Sequence, residues 1–114
     1  MAQMIQRGRE LVRINIPKNT IEYSTDGGRN WNRRCSSNSY GNFKDLIDYG
    51  NEILACTSKG IYYSKDDGRN WSSRYIGSSY GDFIQLTTDG STILANTSKG
   101  LYYSKDGGRN WHKR

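Results

Sequence analysis

The octapeptide Ser-x-Asp-x-Gly-x-x-Trp occurs three times in this chain. It runs from Ser24 through Asp26 and Gly28 to Trp31, from Ser64 through Asp66 and Gly68 to Trp71, and from Ser104 through Asp106 and Gly108 to Trp111. The three tryptophans stand 40 residues apart, and the chain has no others. A fixed period of this length marks a repeat architecture, in which each unit buries its faces against its neighbours. Residues 35–74 and 75–114 align without a gap and are identical at 23 of 40 positions. The first third is a more diverged copy. Gly8-Arg9-Glu10-Leu11-Val12 aligns with Gly50-Asn51-Glu52-Ile53-Leu54, and two extra residues sit around Ile16-Pro17-Lys18. The copies are therefore 1–34, 35–74 and 75–114.

Each copy divides into four short strand segments. In the second they are Phe43–Asp48, Glu52–Thr57, Gly60–Ser64 and Asn70–Arg74, punctuated by Gly50, Gly60 and Gly68. Short apolar runs bounded by Gly, Asn, Asp and Ser read as strands joined by tight turns. No stretch has apolar residues at helical spacing. The octapeptide falls at the third hairpin of each copy. Its Asp side chain can accept from backbone N–H groups just after it, its Gly tolerates a left-handed angle, and its Trp covers the turn and offers an N–H. Asp26, Asp66 and Asp106 are thus expected to be structural, because three copies of one carboxylate in one local setting form a folding device. Tyr23, Tyr63 and Tyr103 recur at one repeat position and are expected in the core.

These residues resemble the Asp-box, or bacterial neuraminidase repeat (BNR), of sialidase-like β-propellers. The Ser, Asp, Gly and Trp positions match in all three copies. The Thr that often precedes the Trp in that family is Asn30, Asn70 and Asn110 here. The resemblance implies an all-β fold of β-propeller blades: three four-stranded antiparallel blades, 1–34 (the diverged one), 35–74 and 75–114, forming one half-propeller domain over 1–114. Propellers use about 4–8 blades, so three cannot close a ring. The expected remedy is a homodimer with six blades in total, the count the family implies. A fragment of a longer propeller is the alternative. Glu22, which stands where the later copies have Tyr62 and Tyr102, fits either terminal drift or a face that meets a partner chain.

Net charge is +6 at pH 7 with a pI near 9.4. That favours polyanions by long-range attraction. Arg29, Arg69 and Arg109 lie in the repeated hairpin, however, and disperse the charge around a rim. No nucleic-acid motif is found, so nucleic acid is not an expected partner. Cys35 and Cys56 have no counterpart in the third copy, and reduced thiols are expected. With one His, His112, and two unpaired Cys, zinc spacing is lacking. Asp66-Asp67-Gly68 looks like a calcium-loop fragment but is not repeated. No metal and no cofactor are expected. The opening residues lack the apolar run of a secretory leader, and no segment is long and apolar enough to span a membrane. The expectation is a soluble chain without a membrane partner.

The resemblance also implies where a ligand would sit. The Asp-box hairpins gather on one face of the disc. The turns between second and third strands, and the connectors between blades, gather on the other. That second face holds Tyr40, Asn42 and Lys59 in one copy and Tyr80, Asp82 and Lys99 in the next. Tyrosines flanked by hydrogen-bonding groups suit sugar C–H faces, and the lysines suit an acidic sugar. The alternative is that Ser-Tyr-Gly is only the connector between blades, with Tyr packing a blade edge. The first functional expectation is a non-enzymatic, lectin-like carbohydrate-binding module. The second is a structural or protein-interaction scaffold, including a fragment, a recently amplified repeat or an engineered one. The third is a sialidase-like glycoside hydrolase, which requires two differently tuned carboxylates across one bond. Glu10 and Glu52 are candidates only in name, because Thr92 replaces them in the third copy, and no Tyr–Glu pair is evident. No catalytic residue is therefore assigned.

Overall fold

A computed structural model describes residues 4–36, 39–77 and 79–114. Residues 1–3 of the first copy lie outside the described residues. Regular structure among the described residues is twelve strands. They are β1 (Met4–Arg7), β2 (Glu10–Asn15), β3 (Thr20–Ser24), β4 (Asn32–Cys35), β5 (Phe43–Tyr49), β6 (Glu52–Thr57), β7 (Gly60–Ser64), β8 (Ser72–Ile76), β9 (Phe83–Thr88), β10 (Ile93–Thr97), β11 (Gly100–Ser104) and β12 (His112–Lys113). They form three four-stranded sheets, each a meander in chain order with every pairing antiparallel. Each sheet is one copy of the repeat. The fourth strands begin after the Trp, at Asn32, Ser72 and His112, and not two residues earlier at the Asn. The reason is local: the Asn30, Asn70 and Asn110 N–H groups bond back to the Asp of the hairpin and so belong to the turn. At the other end β4 and β8 run to Cys35 and Ile76, slightly past the copy limits at 34 and 74.

First strands lie at the inner edge of the arc. β5 touches both β1 and β9, whereas the fourth strands fan outward. The middle sheet is buried on both faces, which its sequence encodes with period two. Along β6, Ile53 and Ala55 join the core shared with the first sheet, and Leu54 and Cys56 join the core shared with the third. The first core also holds Val12, Ile14, Ile21, Phe43, Tyr62 and Trp71. The second holds the matching Ile61, Phe83, Tyr102 and Trp111. Phe43 meets Trp71 at 5.3 Å between ring centroids, and Phe83 meets Trp111 at 5.2 Å.

The two end faces depart from this apolar rule. On the first sheet Arg13 and Glu22 replace Ala55 and Tyr62; they form an ion pair at 2.8 Å, and Arg13 lies 4.0 Å over the Trp31 ring. On the last sheet Asn96 replaces Cys56 and bonds Gln85 at 3.1 Å. Both cysteines are free and buried, and burial pushes the Cys56 thiol up to about 12. A fully buried carboxylate, Asp45, ties neighbouring first strands together. Its Oδ1 accepts from the Leu46 N–H at 3.1 Å and its Oδ2 from the Leu86 N–H at 2.9 Å.

Candidate interaction site at the inner edge

The octapeptide hairpins are built alike. Ser24 Oγ donates to Asp26 Oδ1 at 2.7 Å and accepts from the Gly28 N–H at 2.9 Å. Asp26 Oδ1 also takes the Asn30 N–H, and its Oδ2 takes Asn30 Nδ2 at 2.7 Å. The same bonds recur around Asp66 and Asp106. The Asn that stands in place of the family's Thr therefore fills the second carboxylate oxygen. Trp71 and Trp111 donate Nε1–H to the Gly68 and Gly108 carbonyls. Asp26, Asp66 and Asp106 serve the turn.

These bonds favour the ionised carboxyl. The Asn30 backbone N–H, then Ser24 and the Asn30 side chain, hold Asp26 down to about 2 from an ordinary 3.8. The Asn110 N–H leads in holding Asp106 down to about 2 against burial. At Asp66 burial pushes upward, but the bonds from Asn70 and Ser64 outweigh it. A carboxyl depressed on folding stabilises the fold fully above its unfolded value and loses that contribution as pH falls through the folded one. The melting temperature should therefore drop between about pH 3.8 and about 2. Circular-dichroism melts that stay level across that window would contradict the hairpin chemistry.

A second device joins the sheets and was not evident from the sequence. The β3–β4 register skips Arg34, and the β7–β8 register skips Arg74. A bulge of this kind re-aims its extra residue. Arg34 bonds Glu10 with two nitrogens at 2.7 and 2.9 Å, lies 3.8 Å over Tyr23, and donates to the Asp67 carbonyl of the next sheet at 3.1 Å. Arg74 does the same with Glu52, Tyr63 and the Gly107 carbonyl. Hydrogen bonds from the arginines lower the Glu10 and Glu52 carboxyls despite burial. Tyr23, Tyr63 and Tyr103, expected in the core, are instead half-buried. Each carries an arginine over its ring, Arg114 being 5.8 Å over Tyr103.

On the opposite face hydrogen bonds and two tight glycines hold residues 39–42 and 79–82 of the connectors. Gly41 and Gly81 have φ of 84° and 88°, and an added Cβ would stand 2.6 Å from Ser58 Oγ or Ser98 Oγ. Those hydroxyls accept from the Asn42 and Asp82 N–H groups at 2.9 Å. Lys59 Nζ reaches the Ser39 carbonyl at 3.1 Å, and Lys99 the Ser79 carbonyl at 3.5 Å. The fold thus gathers Tyr40, Asn42 and Lys59 in one sheet and Tyr80, Asp82 and Lys99 in the next. Asn42 and Asp82 are exposed, but the tyrosine rings are half-buried. Tyr40 meets Phe43 and Tyr62, and Tyr80 meets Tyr75 and Tyr102.

Beside these connectors, at the inner edge, lies a hollow of about 650 Å³. Ile16, Pro17, Asn19, Asn42, Phe43, Lys44 and Ile84 line it. It draws on all three sheets, and bulges create it. The β5–β6 register skips Lys44, and the β9–β10 register skips Ile84. Ile84 is 50% exposed and Ile16 45%. Asn19, at a φ of 53°, accepts from the Phe43 N–H at 2.8 Å and donates to the Gly41 carbonyl at 3.1 Å. The longer turn of the first copy thereby clamps the start of β5 and fixes the hollow's wall.

The family model described as BNR/Asp-box repeat matches residues 22–33, 62–73 and 102–113. Comparison with curated proteins finds no match. Among solved structures, YCF48 bound to a D1 peptide is 20% identical with a TM-score of 0.73, over 97% of this chain and 39% of that one. YCF48 from Cyanidioschyzon merolae is 25% identical with a TM-score of 0.68, over 95% of this chain and 41% of that one. The GH74 enzyme of Niastella koreensis is 25% identical with a TM-score of 0.58, over 91% of this chain and 16% of that one. The chain thus spans well under half the length of each of these proteins. The chain thus carries three BNR/Asp-box repeats, one at the Trp-bearing hairpin of each four-stranded antiparallel sheet, in the blade architecture of a β-propeller repeat protein.

Proposed function

We propose that the chain is a non-enzymatic protein-interaction scaffold that receives an extended peptide segment in the hollow at its inner edge. The observation that carries this reading is the lining. Ile16, Pro17 and Ile84 expose apolar surface beside Lys44, and among the described residues no carboxylate lines the hollow. An aliphatic side chain next to an acidic group matches that combination. The volume lies in the range of about 300–1,000 Å³ usual for ligand sites. The solved complex of YCF48 with a D1 peptide supports a peptide as occupant. The scaffold reading also includes self-association of the chain.

The chemistry of the carboxylates favours a non-enzymatic role. Glu10 and Glu52 are each held by two nitrogens of an arginine, and the Asp-box carboxyls are locked in turns. None is poised as a general acid, which needs a raised pKa. The glycan reading rests on Tyr40 and Tyr80, whose rings already pack against aromatic neighbours.

The test is binding of an array of short aliphatic-acidic peptides, followed by fluorescence anisotropy on the best binder. Lys44→Glu and Ile84→Asp should each weaken binding at least about tenfold. Lys59→Ala and Lys99→Ala, on the connector rim, should change it little. No peptide binding, together with sugar binding lost in Tyr40→Ala/Tyr80→Ala, would instead establish the glycan reading.

A further inference from the structure

Successive sheets join by the same fit at both internal contacts. A Cβ placed on Gly68 would stand 3.2 Å from Ile21 Cγ2, and one on Gly108 would stand 3.5 Å from Ile61 Cγ2. An isoleucine on one sheet therefore fills the glycine hollow of the next hairpin. Beside it the bulged arginine reaches a hairpin carbonyl, Arg34 to Asp67 and Arg74 to Gly107, at 3.1 Å in both cases.

Each end of the chain carries one unmatched half of this fit. On the last sheet the counterpart of Ile21 and Ile61 is Leu101, which is 37% exposed. The counterpart of Arg34 and Arg74 is Arg114. Its sheet has Thr92 where the others have Glu10 and Glu52, and Arg114 itself remains exposed. On the first sheet the receiving glycine is Gly28. A Cβ there would meet, among described residues, only Leu11 and Trp31 of its own sheet, each at 3.6 Å. The polar exceptions fall at one level too. Inside the chain Ala55 and Tyr62 share a core with Ile14. At the ends Arg13 and Glu22 replace the first two, and Asn96 replaces the residue aligned with Ile14.

We infer that the outer face of the last sheet docks on the outer face of the first sheet of a second copy. Leu101 enters the Gly28 hollow, Arg114 donates to the Gly27 carbonyl, and Asn96 meets the Arg13–Glu22 pair. The occupant is a second copy because this contact continues the chain's own interface, with both complementary halves present on one molecule. Repeating it about a two-fold axis closes six blades and leaves no end face open. The contact does not depend on peptide binding, so the two readings fail separately.

Light scattering on the full chain over a range of concentrations should give twice the 13.0 kDa chain mass. Leu101→Asp should return the mass to one chain with an unchanged far-ultraviolet spectrum, since Leu101 lies outside both internal cores. Arg114→Glu, beyond the last strand, should raise the dimer dissociation constant at least about tenfold. A single-chain mass throughout, an open-ended series of sizes, or a dimer indifferent to both substitutions would overturn the inference.

Discussion

Trp71→Ala lowers the unfolding free energy by about 3–5 kcal/mol, the range for truncating a buried aromatic. Trp71 is 5% exposed, packs on Phe43 at 5.3 Å, and roofs its hairpin through the bond from Nε1 to the Gly68 carbonyl at 3.0 Å. Truncation removes the ring from the core between the first two sheets and leaves that carbonyl without its donor. Stabilities of single domains are roughly 5–15 kcal/mol, so the change takes a large share. Trp31 is the internal control. It occupies the same repeat position but lies half-buried under Arg13 on an end face. Trp31→Ala should cost about 1–2 kcal/mol, in proportion to the smaller area it withdraws from water. Chemical denaturation of the two variants separates the cases. Equal losses would mean that the internal contact carries no special weight.

Arg74→Ala is the second large effect, at about 3 kcal/mol or more. Removing one member of a buried ion pair strands the other charge, and this typically costs 3–5 kcal/mol. The Arg74 side chain is 5% exposed and that of Glu52 14%. The substitution leaves Glu52 without its partner, uncovers the Tyr63 ring, and frees the Gly107 carbonyl of the next sheet. Replacing both partners, as Arg74→Met/Glu52→Leu, should recover much of the loss, because no charge is then stranded. Urea denaturation of the single and double variants tests this. A double variant as unstable as the single one would show that the bond across to Gly107 dominates and the ion pair does not.

The repeat was legible because its signals are local and recur. Ser24, Asp26, Gly28 and Trp31 and their counterparts announce a hairpin by chemistry that spans only eight residues. The strand runs around Ile53 and Ile61 follow from period-two burial. What escaped depends on register. Asn70 reads as the start of a strand until its N–H is seen bonded to Asp66. Arg34, Arg74, Lys44 and Ile84 look like ordinary strand residues, and only a bulge turns each of them out of the ladder. No residue type signals those bulges, because they arise from how one strand fits its partner. The hollow at the inner edge was hidden for the same reason. Tyr23, Tyr63 and Tyr103 read as core because their aromatic character is visible in the sequence, whereas the arginines that cover them stand about eleven residues further along the chain, in or just beyond the fourth strand.

The bulged arginine also gives the repeat a direction. The first two units each carry a plug on the outer strand, and the second and third receive it in a hairpin, so the joint between two units is encoded within the repeat itself. In-frame copying of a single segment therefore yields a neighbour that already fits, with no second mutation needed to glue it on. Growth or loss of whole units becomes an accessible evolutionary step, and the close match between residues 35–74 and 75–114 is the trace such a step would leave.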